Sequence, residues 1–395
     1  MDDKYAVLIA PRHRFTKDTR GAPAATVSID DLLPKVEVVE LAPSHVLELR
    51  QRESTLAVAR TMPMKLIEPI TAIPRPLDRH VDASTAWGIE ATRAHTSPWT
   101  GEGTVIGILD TGIDRTHPAF AGMDLVCRDF TGEGDGDTNG HGTHCAGTAF
   151  GRDVDGTRIG VAQGVHTALI GKVLDARGGG TSDMIADAIL WAVREGANVV
   201  SMSLGIDFPG YIASLVDQDL PIKVAVSRAL EDYRHTIELF AATTRAVASQ
   251  APFGRCALLV GAAGNESDRN AHNRYTVAAS PPSASGGVLS VAALGRREEG
   301  FEVASFSNVG ARIAGPGVGV LSANLGGGLT QMSGTSMAAP HVAGVAALWT
   351  QKLANSDPSS IRYLEDRLLG AASSMEVLKV SADDIGVGLV QAPQD

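Results

Sequence analysis

From about Trp87 onward the chain alternates short, almost uninterrupted apolar runs with stretches whose apolar residues recur at steps of three and four. The runs Val105 to Leu109, Ala168 to Leu174, Val199 to Ser203, Leu258 to Gly261 and Val288 to Ala292 predict strands covered on both faces. A half-exposed strand would instead alternate with polar residues. Between them, Ser182 to Glu195 sets Ile185, Ile189 and Val193 on one face and stops at Gly196, which predicts an amphipathic helix closed by a glycine. Strand and helix in alternation predict an α/β fold, a doubly wound, mostly parallel sheet flanked by helices. Such sheets carry their functional residues beyond the carboxyl ends of strands.

The first eighty residues read differently. Tyr5 to Ala10 and Val36 to Leu41 predict strands, Ser44 to Glu53 a short helix and Ala57 to Glu68 further strand, a small α+β domain over residues 1–80. Its core is too small to stand firmly alone. It ends in an extended linker over about residues 69–83, where Pro69, Pro74 and Pro76 with β-branched neighbours disfavour helix. Residues 81–395 make the main domain, with an insertion over about 206–255. There Leu230, Tyr233, Ile237, Phe240 and Val247 form a helical stripe, expected to pack onto the body rather than to rim a cleft.

Composition narrows the class. With 395 residues, 44% hydrophobic and 20% charged, the chain can bury one large core plus a small module. A net charge of −11 and 5% aromatics argue against nucleic acid or an anionic membrane as partner. No apolar run approaches the roughly 18 residues of a spanning helix. The start Met1-Asp-Asp-Lys4 lacks a secretory pattern, so the expectation is a cytoplasmic protein unless a leader has been removed. Cys127, Cys145 and Cys256, an odd number in a large chain, predict no disulfide framework.

Three polar clusters flanked by glycine stand where strands end or helices begin. They are Asp110-Thr-Gly112, His141-Gly-Thr-His144-Cys145 and Gly334-Thr-Ser336. Acyl transfer by serine needs a base for the hydroxyl proton and a buried acid that holds the base in one tautomer. Each residue also has a structural alternative. Asp110 would equally cap a turn; Asp-Thr-Gly occurs in aspartic proteases too, but those need a second such loop and the chain has none. His141, His144 and Cys145 offer metal-type ligands without the His-Glu-x-x-His spacing of zinc hydrolases. Asn265, between Gly264 and Glu266, reads equally as a turn residue. His341 falls about 140° around a helix from Ser336, which predicts a packed histidine rather than a base. Pro340 is expected within the tolerant first turn, with Ser333 and Thr335 as turn and wall residues.

The segments "VIGILDTGIDRTHP", "NGHGTHCAGT", "SMSLG", "GAAGNE" and "GTSMAAPHVAG" in this order, with "GVGLVQAP" near the end, resemble the subtilisin-like serine proteases over most of residues 80–394. The resemblance implies Asp110 as orienting acid, His141 as general base, Ser336 as nucleophile and Asn265 as a donor to the oxyanion. It makes His144 structural and Cys145 a small buried residue, placed as in proteinase K-like members. It further implies that Ser203, Leu204 and Gly205 on one side, and Gly178, Gly179 and Gly180 on the other, pair with an extended peptide. Ala262, Ala263 and Gly264 would line the pocket before the cut, with a floor from Val277 to Ser285.

By the same resemblance, residues 1–80 are an inhibitory and chaperoning propeptide, and the whole an autoinhibited zymogen. Residues of about Ile70 to Val81 are then expected in the cleft, with self-cleavage between Pro76 and Ala83. No cofactor is required for the chemistry. A structural calcium is a candidate at Asp153 and Asp155, or in the run Glu133, Asp135, Asp137. No strand leads into Gly-x-Gly-x-x-Gly, which sets a dinucleotide enzyme aside. A binding module with its cleft plugged by residues 1–80 is the alternative function.

Overall fold

In the computed structural model of the chain, which describes residues 3–11, 32–70, 84–251, 257–356, 363–378 and 381–395, the N-terminal module is an antiparallel sheet under one helix. β1 (Asp3–Ile9) lies between β2 (Lys35–Leu41) and β3 (Thr55–Arg60), with α1 (Pro43–Arg50) on one face. Side chains alternate across the strands. Tyr5, Val7 and Val58 meet Val46 of α1, whereas Ala6, Leu8 and Ala59 join the core of the main domain. One face of the module's sheet is therefore buried only by docking.

Ala57 to Glu68, expected as continuous strand, divides. β4 (Pro63–Leu66) leaves the module's sheet and enters another. Ser182 fixes the switch: its N–H donates to the Met62 carbonyl at 3.0 Å and its Oγ accepts from the Met62 N–H at 3.1 Å. Pro63, without an N–H, opens the new strand where no ladder donor is needed.

The main domain continues through α2 (Trp87–Ala91), β5 (Ile106–Asp110), β6 (Asp124–Asp129), α3 (His141–Phe150), β7 (Thr167–Lys172), β8 (Gly179–Thr181), α4 (Ser182–Arg194), β9 (Val199–Met202) and β10 (Leu204–Ile206). The inserted helices α5 (Phe208–Asp217) and α6 (Ile222–Ala248) come next, then β11 (Leu258–Ala262), β12 (Val288–Arg297), β13 (Gly300–Val303) and β14 (Ile313–Pro316). A hairpin of β15 (Val320–Ala323) and β16 (Leu329–Met332) precedes α7 (Thr335–Ser356), α8 (Leu364–Ala371) and α9 (Ala382–Ile385).

Among the described residues the central sheet has eight strands, ordered β13-β12-β11-β9-β5-β7-β6, with β14 also on β12. Every pair is parallel except β12 with β13. Both faces are covered, which is why the strands read as unbroken apolar runs. Ile106, Ile108 and Ile170 pack under α3 and α7, while Leu109, Leu169 and Met202 pack under α4 and α6. The chain winds one way from β5 to β7 and the other way to β9, so the switch point lies at the carboxyl end of β5, where Asp110 stands.

The insertion packs on α4 and, on its other side, carries the N-terminal module. The buried stripe of α6 is Ala225, Ala229, Asp232, Thr236, Leu239, Phe240, Thr243 and Val247, while Leu230, expected in that stripe, is half exposed. Small residues let the helix approach β3 closely. The buried charge is shared: Asp232 accepts from Tyr211 Oη at 2.7 Å and Arg60 Nε at 3.2 Å. Arg60 also pairs with Asp3, which Arg228 reaches at 2.9 Å. Burial, then the Asp232 carboxylate, push the Tyr211 hydroxyl well above its ordinary range. No helix among the described residues is long and apolar enough to cross a membrane.

Candidate active site

β5 delivers Asp110 to the sheet edge, and α3 opens on His141. Both are buried, and Asp110 Oδ1 lies 2.8 Å from His141 Nδ1 while also accepting from the Thr111 N–H at 2.8 Å. Glycine is required where the two loops meet. A Cβ on Gly142 would collide with the backbone carbonyl of Gly112, itself at φ +109°. Ser336 is the second residue of α7, and its Oγ donates to the Ile67 carbonyl at 2.9 Å. Among the described residues His141 Nε2 is buried without a hydrogen-bond partner.

Cys145 links the two helices. Its Sγ lies 3.7 Å from His141 Nδ1 and donates to the Ser336 carbonyl at 3.3 Å, to which Ser203 Oγ also donates at 3.3 Å. That carbonyl would pair with the N–H of residue 340, which is proline. Pro340 therefore lies beyond the first turn, contrary to expectation, and is tolerated because Cys145 and Ser203 satisfy the carbonyl it leaves free. Cys127 and Cys145 are free thiols, and Cys256 lies outside the described residues.

Asn265 supplies an aimed amide. Its Oδ1 accepts from the Thr335 N–H and Oγ1, both at 2.9 Å, leaving Nδ2 to donate to the Glu68 carbonyl at 2.9 Å. Thr335 Oγ1 in turn accepts from the Gly264 N–H at 3.0 Å, so Thr335 orients the amide rather than merely lining the wall.

The cleft is filled by the chain's own residues 63–70, a strap. β4 pairs antiparallel with β8 on one side and β10 on the other, setting Met64 opposite Gly180 and Ile206, and Lys65 opposite Gly179 and Gly205. The Leu66 N–H donates to the Gly178 carbonyl at 2.7 Å and the Ile67 N–H to the Ser203 carbonyl at 3.3 Å. Gly178 sits at φ +79°, and a Cβ there would press on Leu66 at 2.8 Å. Ile67 is buried above Gly205 in the cluster that contains Ala262, with Ser280 of the expected floor also against Gly205. Ser283 Oγ donates to the Ala262 carbonyl at 2.5 Å, whereas Ala263, expected in the same wall, packs with Ala292, Leu294 and Ala314 in a separate cluster. The expected occupant is residues 70–81, of which 71–81 lie outside the described residues; among the described ones, residues 63–68 hold the cleft and the Ile70 N–H donates to the Ser333 carbonyl at 2.8 Å. The expected cleavage region, 76–83, lies outside the described residues.

Charge in the site is set by burial and pairing. Burial works to lower the His141 pKa, but the Asp110 carboxylate outweighs it and holds the imidazole well above its ordinary range. Burial pushes the Cys145 thiol up, so it stays neutral beside that pair. Burial lowers His144 to about 3 and His341 to about 4. Both are therefore neutral packing residues, His144 facing the Val320 carbonyl at 3.0 Å and His341 the Met337 carbonyl at 2.8 Å.

Three supporting residues do not stand out in the sequence. Asp137, grouped there with the metal candidates, is buried and accepts from Thr111 Oγ1, the N–H groups of Asn139, Gly140 and Thr143, and Thr143 Oγ1, tying the Asp110 loop to the His141 helix. Lys172, hidden in an apolar strand pattern, is buried and donates to the Thr111 carbonyl at 2.9 Å. A lysine inside such a run is the one signal of it. Asn308 clamps the Asn265 loop by accepting from the Glu266 and Ser267 N–H groups at 3.1 Å.

The calcium candidates do not converge. Asp153 accepts from Gln163 Nε2 at 2.6 Å, and Asp155 sits exposed in a left-handed turn at φ +51°. Glu133 accepts from the Ala176 N–H and Asp135 pairs with Arg115. Among the described residues the cluster of His, Cys and carboxylate ligand atoms is Asp110, His141 and Cys145. Among the described residues these acidic candidates thus bring no group of three carboxylates together to anchor a calcium ion.

Comparison with known proteins gives the family. The model of the subtilase family matches residues 101–377. An intracellular serine protease of Paenibacillus polymyxa is 33% identical over 299 residues, 74% of this chain and 77% of that protein. Subtilisin DY of Bacillus licheniformis is 32% identical over 293 residues, 73% of this chain and 90% of the relative. The crystal structure of fervidolysin from Fervidobacterium pennivorans, a keratinolytic enzyme related to subtilisin, shares the fold with a TM-score of 0.66 at 22% identity. The match covers 99% of this chain and 60% of fervidolysin. The chain accordingly belongs to the subtilase family and is a subtilisin-like serine endopeptidase.

Proposed function

We propose that Asp110, His141 and Ser336 act as a charge-oriented triad on extended peptides, and that residues 1–70 keep the enzyme autoinhibited. The observation that carries this reading is the strap, held between two backbone rails with the Ile67 carbonyl on Ser336 Oγ. A substrate on the same rails would present its carbonyl carbon to Ser336. His141 Nε2 takes the hydroxyl proton as Oγ forms the acyl bond, and returns it to the amine as the peptide C–N bond breaks. The Ser336 N–H and Asn265 Nδ2 hold the oxyanion; a water, deprotonated by His141, then releases the acid. Apart from that water, groups of the chain itself would fill each of these roles.

The strap resists the same sequence because its carbonyls are out of step. The Ser336 proton is directed at Ile67 O instead of at His141, and the Asn265 amide is taken by the following carbonyl, Glu68 O. A fluorophosphonate probe tests both halves of the reading. The chain freed of its N-terminal module should be labelled, the intact chain slowly, and Ser336→Ala not at all. No labelling of the freed chain would leave only the plugged binding module.

His141 must be neutral to act as base, so its raised pKa places the acidic limb of activity above the usual imidazole value of about 6.5. Activity on a peptide substrate should rise with pH through that midpoint and fall below it. A rate that stays flat down to pH 4 would remove His141 from the role. For stability the sign is opposite: the charged pair stabilises fully below the unfolded value and the contribution is lost as pH rises through the folded one.

A further inference from the structure

We propose that Asp207 is a subsite for a cationic side chain two positions before the residue that seats in the pocket, which makes peptides with lysine or arginine there preferred substrates. The proposal rests on the catalytic reading above for its register. With Ile67 over Gly205 and its carbonyl at Ser336, Lys65 stands third before the cut. Its backbone lies opposite Gly205 of β10, and its Nζ reaches Asp207 Oδ1 at 3.3 Å.

Asp207 is placed without help from the strap. It follows β10 directly and caps α5, its Oδ1 accepting from the Gly210 N–H at 3.2 Å. The carboxylate is thus built into the scaffold at the end of the rail, where any bound peptide must pass. Lys65 and Asp207 side chains are each 41% exposed, and among the described residues neither makes another ion pair. The strap's neighbours on either side, Met64 and Leu66, turn into a wholly apolar cluster with Leu174, Ile185 and Leu204. Position and charge therefore separate: the apolar subsites hold a peptide generally, and Asp207 distinguishes peptides by one side chain. Because the pair is partly hydrated, the expected preference is modest, about two- to fivefold at low salt, and it fades as salt rises.

Two measurements on the full-length chain test the subsite. In the Ser336→Ala chain, hydrogen exchange of the strap amides should quicken severalfold with Lys65→Met and with Asp207→Asn, which keeps the helix cap. Lys65→Met should add nothing once Asp207→Asn is present. Additive effects, or no effect, would overturn the subsite whatever the activity. In the Lys65→Met chain with Ser336 intact, peptides containing Met-Lys-Leu-Ile and Met-Glu-Leu-Ile should differ in kcat/KM by severalfold in favour of lysine. Asp207→Asn should equalise them. Equal rates with Asp207 present would overturn the preference. Absence of any turnover or probe labelling would defeat the catalytic reading instead, with the exchange cycle still deciding whether Asp207 holds a cation.

Discussion

Ser336→Ala and His141→Ala should each slow peptide hydrolysis by about 10⁶-fold, and combining them should cost no more than either alone. That magnitude is the one known for subtilisin, a relative of this chain, and is carried over from it. The non-additivity follows from the chemistry. Without the imidazole the hydroxyl keeps its proton, and without the hydroxyl the imidazole has nothing to activate. Asp110→Asn should cost about 10⁴-fold, because an amide facing His141 Nδ1 at 2.8 Å favours the wrong tautomer while preserving the shape. The measurement is kcat on a chromogenic peptide with the N-terminal module removed. A loss under about tenfold for His141→Ala would mean that some other group takes the proton.

Asn265→Ala should lower kcat by about 10²–10³ with little change in KM. The amide's carbonyl oxygen is fully occupied by Thr335, so its Nδ2 is pre-aimed and needs no rearrangement as charge develops. Thr335→Val should reproduce part of the loss by freeing that amide to turn. The resting chain adds a second consequence. Asn265 also holds Glu68 O, so the substitution should loosen the strap while it weakens catalysis. A rise in KM at constant kcat would instead make Asn265 a contact of the ground state.

Those roles follow from motifs that sit at strand and helix ends, and such ends are legible because the sheet is covered on both faces. Its strands therefore stand out as apolar runs, and the glycines beside them mark close approaches such as that of Gly142 to Gly112. What stays hidden depends on partners distant in sequence. Nothing local in Ala57 to Glu68 says that the segment changes sheets; Ser182, far along the chain, decides it. Asp137 looks like its exposed neighbours until the Thr111 loop closes over it. The stripe on α6 differs from its apolar pattern because the buried face mixes alanines, threonines and Asp232 with Leu239, Phe240 and Val247, and Asp232 is made tolerable by Arg60 from the N-terminal module. The strap's position stays hidden for a related reason: the resemblance points to 70–81, and only pairing with the distant β8 and β10 shows that 63–66 lie on the rails.

The grip of α6 on β3 has a kinetic meaning. The strap is one stretch of a chain attached on both sides, so its effective concentration at Ser336 is on the order of millimolar. A free peptide that binds micromolar must outcompete that before it is cut. Severing the chain after the strap would not dilute it, because Arg60 and Asp3 still hold the module to Asp232 and Arg228. Were such a cut the activating event, a unimolecular departure would follow it, and that second step would set a delay that does not shorten as the enzyme is concentrated.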